Sequence, residues 1–242
     1  MITERFTLEV QGLQVEVQRK PIKNLHLAVY PPDGGVRVSA PDFMGDEAIR
    51  LAIVNKLSWI RRQQQRFRDQ PRQSQREMAS GESHYYQGQR YLLSVVEKDA
   101  PPQVRILNNR SLELQVRPGT DRDKREAILY AWYRARLKEQ IPILIAKWEP
   151  VLGIQVAEWG VKRMKTRWGS CNIEARRIWL NLELIKKPPV CLEYVLVHEM
   201  VHLLERHHNE RFYALMTKIM PKWYHYRDIL NAAPLAYEHW DY

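Results

Sequence analysis

The segment of the sequence best suited to chemistry is a histidine–glutamate–histidine pattern, in which His198 and Glu199 are followed by His202. Apolar residues around it recur at spacings of three and four, which predicts a helix. Residues four apart on a helix have Cβ atoms about 5–6 Å apart, so the two imidazoles can converge on one Zn²⁺ ion. Glu199 then lies beside the metal, where its carboxylate can act as a general base toward water. The pattern predicts metal-assisted hydrolysis.

A catalytic zinc site usually has three protein ligands and one open position. We favour His208 as the third ligand, because its spacing from His202 matches that of a metzincin, although Glu205 stands where that motif has glycine. His207 is the competing candidate. Glu205 is expected to orient a ligand rather than to bind the metal, unless the chain turns early and makes it the third ligand. Asn209 is expected to cap a following helix, which would place His208 in the bend between two helices. The alternative for the whole segment is a histidine-rich, solvated helix end.

The elements that must position these residues form an α+β pattern. Alternating apolar residues predict strands in the first 40 residues and again over 84–117, and a 3.6-residue period predicts a helix from about 46. A second helix is expected over 121–148, with a kink or break at Pro142. Short strands and further helices follow. We therefore expect a β-rich N-terminal half, residues 1–118 with a basic helix or linker at about 46–76, and a catalytic region at 119–242. Short joining segments favour one composite unit.

The composition is that of an ordinary globular protein. The chain has 242 residues, 45% of them apolar, which is enough for one large domain or two small ones without cross-links. Two cysteines cannot make a disulfide framework, and this favours a reducing compartment. The first residues lack the pattern of a signal peptide, and no stretch approaches about 18 consecutive apolar residues. We therefore expect a cytoplasmic protein with no membrane partner.

The formal net charge of +10 is concentrated in one tract. Residues 56–76 contain seven Lys or Arg and one Asp, whereas residues 151–242 contain 13 Lys or Arg and 10 Asp or Glu. The usual explanation of such a tract is a solvated helix end and linker. The alternative is an arm that contacts the phosphate groups of a nucleotide or nucleic acid. The candidate anion contacts in this tract are Arg61, Arg62, Arg66 and Arg68.

Further segments of the sequence resemble a known family. They are the Arg-Trp-Gly-Ser-Cys run at 167–171, the Ile-Trp-Leu-Asn run at 178–181, the His-His-Asn run at 207–209 and the Met-Pro-Lys-Trp run at 220–223. Together with the pattern at 198–202, they are similar to the YgjP-like family of zinc-dependent metallopeptidases, relatives of SprT-like and minimal gluzincin proteins. The resemblance is specific over 161–230 and looser in the N-terminal half.

The resemblance implies a zincin-like catalytic half, in which the segment at 167–171 forms strands beside the metal-bearing helix. It also implies that His208 matches the family's third histidine. The family has Asn-His-Ser there, whereas this chain has His207, His208 and Asn209, so the cap and the local hydrogen bonds are expected to differ.

We therefore predict a hydrolase that binds one Zn²⁺ ion and acts on a peptide or protein substrate. One alternative is cleavage of a nucleotide phosphoanhydride, and another is a protease tethered to nucleic acid by the basic tract. A purely structural zinc site is least favoured, because such sites usually have four protein ligands. The oxyanion stabiliser is left open among Tyr213, Tyr224, His225 and Tyr226, and nothing in the sequence indicates an oligomeric state.

Overall fold

The computed structural model describes residues 4–30, 34–69, 77–164 and 167–232, and of residues 66–69 it describes the backbone only. The predicted mixed α+β class is confirmed by five α-helices and three small sheets among these residues. Contacts between Cα atoms divide the described residues into two compact units, residues 4–69 and residues 77–232, so the boundary between them falls before residue 77. This boundary lies earlier in the chain than the predicted one at 118. The packing of both halves as one composite unit stays a prediction.

The N-terminal unit is a four-stranded sheet covered by one long helix. Its elements are β1 (Arg5–Val10), β2 (Leu13–Lys20), β3 (His26–Tyr30), β4 (Gly35–Pro41) and helix α1 (Asp46–Asp69). The strand order is β1-β2-β4-β3, with β2 and β4 parallel and the outer pairs antiparallel. Alternate strand residues such as Val17 and Val38 are buried, and they share a core with Ile49, Ile53 and Ile60 of α1. The apolar residues that alternate along the strands and those that recur every three to four residues along α1 thus pack in one apolar layer.

The basic tract lies largely on α1. Arg61 and Arg62 are exposed on this helix, and Arg66 and Arg68 lie in its last turns with side chains outside the described part. Residues 70–76, which include the predicted loop near Pro71, lie outside the described residues. Contact of this tract with a nucleotide or nucleic acid therefore stays a prediction.

The C-terminal unit begins with a second four-stranded sheet, which packs on helix α2 (Arg122–Leu152). Its strands are β5 (Ser83–Tyr86), β6 (Gln89–Glu97), β7 (Gln103–Asn108) and β8 (Ser111–Val116), in the order β5-β6-β8-β7. Leu112 and Leu114 of β8 belong to the same buried cluster as Leu129 and Tyr133 of α2. These strands therefore group with the catalytic half, because they share its core. The strand order and pairings repeat those of the first sheet, a repeat that the sequence did not reveal.

The sequence predicts a kink or break at Pro142, and helix α2 continues through this residue without a break. A proline inside a helix costs about 3 kcal/mol. The buried face of α2 continues on both sides of it, through Leu137, Ile141, Ile145 and Trp148, and burial of each such side chain contributes about 1.5–3 kcal/mol. The helix is capped by the side chain of Asp121 and ends at Gly153, whose φ of 65° favours glycine. Tertiary packing thus outweighs the local preference.

The elements around the predicted site are a three-stranded sheet and three helices. The strands are β9 (Glu158–Lys162), β10 (Gly169–Asn172) and β11 (Arg177–Asn181), in the order β10-β11-β9. A short 3₁₀ helix, Leu182–Lys186, leads to helices α3 (Pro189–Val201), α4 (Glu210–Ile219) and α5 (Trp223–Ala232). Helix α3 contacts α2, α4, α5, β10 and β11, and nine of its 13 residues are buried. It is the central helix of this unit.

A buried ion pair lies in the short 3₁₀ helix just before α3. Lys186 Nζ is 2.8 Å from Glu183 Oε2, and their side chains are only 14% and 8% exposed. Lys186 Nζ also donates a hydrogen bond to Tyr130 Oη at 3.0 Å. Burial lowers the pKa of Lys186, but the Glu183 carboxylate outweighs this and holds that pKa above its ordinary value. Through Tyr130, which lies on α2, this pair links the 3₁₀ helix that precedes α3 to helix α2.

Among the described helices, none combines the length and the hydropathy of a membrane-spanning segment.

Candidate metal centre

Helix α3 brings His198 and His202 onto one face, one turn apart, with their ring centroids 5.0 Å apart. His202 is the C-terminal cap of the helix, and a tight turn follows in which the Glu205 amide donates to the Val201 carbonyl at 2.9 Å. Asn209 then caps α4, and its side chain accepts a hydrogen bond from the Phe212 amide. His208 therefore lies in the bend between two helices.

The three histidines selected from the sequence lie together. The ring centroid of His208 is 4.9 Å from that of His198 and 4.7 Å from that of His202. One ring nitrogen from each histidine lies within 4.8 Å of the others, and the Nε2 atoms of His198 and His208 are 2.9 Å apart. The cluster of three can hold one metal ion, since imidazole nitrogens at this separation suit a tetrahedral site with one open position.

The lowered pKa values of His198 and His202 suit ligation, which requires neutral rings. Burial, together with the neighbouring His202 and His208, lowers the pKa of His198 to about 3. Burial also lowers the pKa of His202. His202 is further fixed by a 3.1 Å contact between its Nδ1 and the Glu205 carbonyl oxygen, which leaves Nε2 for a metal when Nδ1 carries the proton.

Glu205 contacts His202, a candidate metal ligand, through its backbone carbonyl oxygen and not through its carboxylate. Its carboxylate accepts a hydrogen bond from the His207 amide at 3.3 Å and lies 3.8 Å from an Arg211 guanidinium nitrogen. His207, the competing third ligand, is exposed and lies outside the described cluster of three.

Phe212 supports all three imidazoles, a role that was not predicted from the sequence. Its ring centroid lies 4.9 Å from that of His198, 4.8 Å from that of His202 and 4.7 Å from that of His208. The side chain is only 1% exposed. Its place in the apolar pattern of the helix that follows the Asn209 cap was the signal available.

Glu199 lies in the buried wall of the same site. It is 7% exposed and lines a cavity with His198, His202 and His208. Burial raises the pKa of Glu199 to about 8, against the opposing effect of the Arg167 guanidinium. Strand β10 packs directly on this carboxylate, since a Cβ atom on Gly169 would lie 2.6 Å from Glu199 Oε1.

The cavity measures about 620 Å³, and strand β10 forms one wall of it. The predicted candidates for an oxyanion stabiliser are absent from its described lining: Tyr213, Tyr224, His225 and Tyr226. Tyr194 lines it instead, with its ring 6.0 Å from that of His198. Tyr194 precedes His198 by four residues on α3, and this spacing was a signal that sequence analysis could have used.

Comparison with known proteins agrees with this geometry. Curated protein sequences include no match to this chain. A family model described as YgjP-like, metallopeptidase domain, matches residues 23–233, a range that includes every residue of the histidine cluster as well as Glu199 and Gly169. The resemblance expected from the sequence is thereby confirmed, and the chain belongs to the YgjP-like metallopeptidase family.

Proposed function

We propose that this protein is a zinc-dependent metallopeptidase whose ligands are His198, His202 and His208, with Glu199 as general base. Family membership supports a metal-dependent hydrolase of the peptidase type. The observation that carries the proposal is the convergence of three imidazoles beside a buried carboxylate in one cavity. A three-histidine donor set fits zinc and leaves an open position for catalysis.

The chain's own residues account for the proton transfers. A bound zinc ion supplies Lewis acidity and lowers the pKa of a water molecule. Glu199 would accept a proton from the water that attacks the peptide carbonyl and would then donate this proton to the leaving amine. Tyr194 is our candidate for the donor that stabilises the developing oxyanion, because its phenol lines the cavity next to His198.

The edge of strand β10 favours a peptide as substrate. Within the described residues, β10 pairs with β11 alone, so its other edge retains backbone groups that can bind an added strand. The same strand forms a wall of the cavity beside Glu199. An extended peptide that pairs with β10 would therefore pass across the site.

Hydrolysis of a nucleotide phosphoanhydride is the second candidate, and a specific observation favours it. Arg167, Arg206 and Arg227 all line the cavity, and arginine is well suited to bind phosphate groups. The arginines do not by themselves distinguish a phosphate from a carboxylate.

One assay separates the two candidates. Zinc-loaded protein is incubated with a library of internally quenched peptides and, in parallel, with ribonucleoside triphosphates. We expect peptide cleavage by the wild type, and its loss in Glu199→Gln with zinc still bound. Nucleotide hydrolysis without peptide cleavage would replace the first candidate by the second. Full peptidase activity in Glu199→Gln would refute the assigned base.

A further inference from the structure

The cavity beside the histidine cluster is lined by three arginines from three different parts of the chain. Arg167 precedes β10, Arg206 follows α3, and Arg227 lies on α5. Glu199 is the one acidic side chain among the described lining residues. The cavity therefore carries an excess of positive charge, and a substrate group with negative charge would neutralise it.

Arg227 is held in place by aromatic side chains. Its guanidinium carbon lies 5.3 Å from the ring centroid of Trp223 and 5.2 Å from that of Tyr224. Its Nε and Nη2 atoms each donate a hydrogen bond to Asp228 Oδ1 at 3.3 Å, but the two side chains are 43% and 67% exposed. A pair exposed to this degree leaves most of the guanidinium's capacity for an incoming anion. The aromatic contacts reduce the conformational freedom that Arg227 would lose on binding.

Arg167 is fixed through its backbone. The buried side chain of Asn181 donates hydrogen bonds from Nδ2 to the carbonyl oxygens of Arg167 and Met164, each at 2.8 Å. The Arg167 guanidinium is close enough to Glu199 to act electrostatically on it. Arg167 and Arg206 are exposed, and neither forms an ion pair with another residue of the described ranges. Both are thus available to a substrate.

We propose that Arg167, Arg206 and Arg227 make this site selective for peptides with acidic side chains next to the scissile bond. The proposal rests on the proposed peptidase function. An extended peptide on the edge of β10 would present its side chains at separate points around the cavity. The three arginines also line the cavity at separate points, so each could meet a different side chain of the peptide.

The experiment compares matched peptides that differ by Glu against Gln at single positions on either side of the cleaved bond. Each exposed arginine–carboxylate contact is expected to contribute up to about fivefold. We expect the wild type to show a kcat/KM about tenfold higher for the best Glu peptide at low salt, and a smaller preference at high salt.

Variants assign the preference to the cavity. Arg167→Gln, Arg206→Gln and Arg227→Gln should each lower the Glu-to-Gln ratio of kcat/KM while zinc stays bound. Arg110→Gln is the matched control, since Arg110 is exposed in the turn between β7 and β8, outside the described lining. Arg227→Lys keeps the charge if Arg227→Gln fails to fold, and it should retain a Glu preference.

The outcomes separate this proposal from the proposed function. Equal kcat/KM for Glu and Gln peptides would overturn the selectivity while leaving the peptidase proposal intact. Absence of any peptide cleavage by the zinc-loaded wild type would overturn both. Nucleoside triphosphate hydrolysis that outpaces peptide cleavage and depends on the same arginines would assign the cavity to phosphate instead.

Discussion

Gly169 lies against the carboxylate of Glu199, so closely that a Cβ atom at residue 169 would be 2.6 Å from Oε1 and 2.7 Å from Cγ. Gly169 does not have a positive φ, so the backbone conformation does not explain the glycine. The contact with Glu199 does. Strand β10, which forms one wall of the cavity, and Glu199, the proposed general base, therefore fix each other's position.

Gly169→Ala should displace the Glu199 carboxylate and lower kcat by on the order of 100-fold, the effect expected of a shift near 1 Å, with zinc content unchanged. Gly35→Ala is the control, because Gly35 is also in a strand and a Cβ atom there meets nothing within 4 Å. In a Glu199→Ala background, thermal unfolding should show Gly169→Ala to be less destabilising than in the wild type. Wild-type kcat in Gly169→Ala would contradict this relationship.

Phe212→Leu should weaken zinc binding, because all three imidazoles pack on the Phe212 ring. Phe212→Ala should additionally destabilise the fold by about 3–5 kcal/mol. Met216→Ala is the matched control, since Met216 is buried on the same helix without being one of the cluster's ring contacts. Zinc titration and denaturant unfolding, measured on all three variants, separate the two effects. Equal zinc affinity in Phe212→Leu and the wild type would show that Phe212 does not support the metal ligands.

Tyr194→Phe should lower kcat by about 100-fold or more while KM and zinc content change little, as loss of one oxyanion donor typically does. The measurement is steady-state kinetics on a cleaved peptide. Tyr213→Phe is the control, because Tyr213 lies outside the described lining of the cavity. A variant with unchanged kcat would show that another group stabilises the oxyanion.

Glu183→Leu should destabilise the protein by about 3–5 kcal/mol, because it leaves the buried Lys186 charge without its carboxylate. Adding Lys186→Met should recover much of this loss, which denaturant unfolding would detect. The exposed pair of Arg136 and Glu139 provides the comparison, and Glu139→Gln should cost less than about 1 kcal/mol. Additive losses in the Glu183→Leu, Lys186→Met double variant would argue against a coupled pair.

Local patterns predicted the parts of the site that lie on one element. The three- and four-residue spacing around His198 indicated α3, and the Asn209 cap indicated the start of α4. Once both helices were expected, His208 had to lie in the bend between them. These inferences succeed because caps and periodicity depend on neighbours in sequence.

Contacts between distant segments were not predictable in this way. Gly169 and Glu199 meet because a strand edge packs on a helix, and nothing local to either residue indicates the partner. Pro142 indicated a kink or break in α2, and burial of the flanking residues keeps the helix unbroken there. The arginines of the cavity come from three separate parts of the chain, whereas the sequence drew attention to the arginine-rich tract on α1.

The most direct test of the account is zinc binding to metal-free protein, measured by calorimetry. We expect one Zn²⁺ ion per chain for the wild type, with the same stoichiometry retained in His207→Ala and Glu199→Gln. His198→Ala, His202→Ala and His208→Ala should each lose this site while remaining folded by circular dichroism. Zinc binding by His208→Ala with the affinity of the wild type would contradict the three-histidine centre.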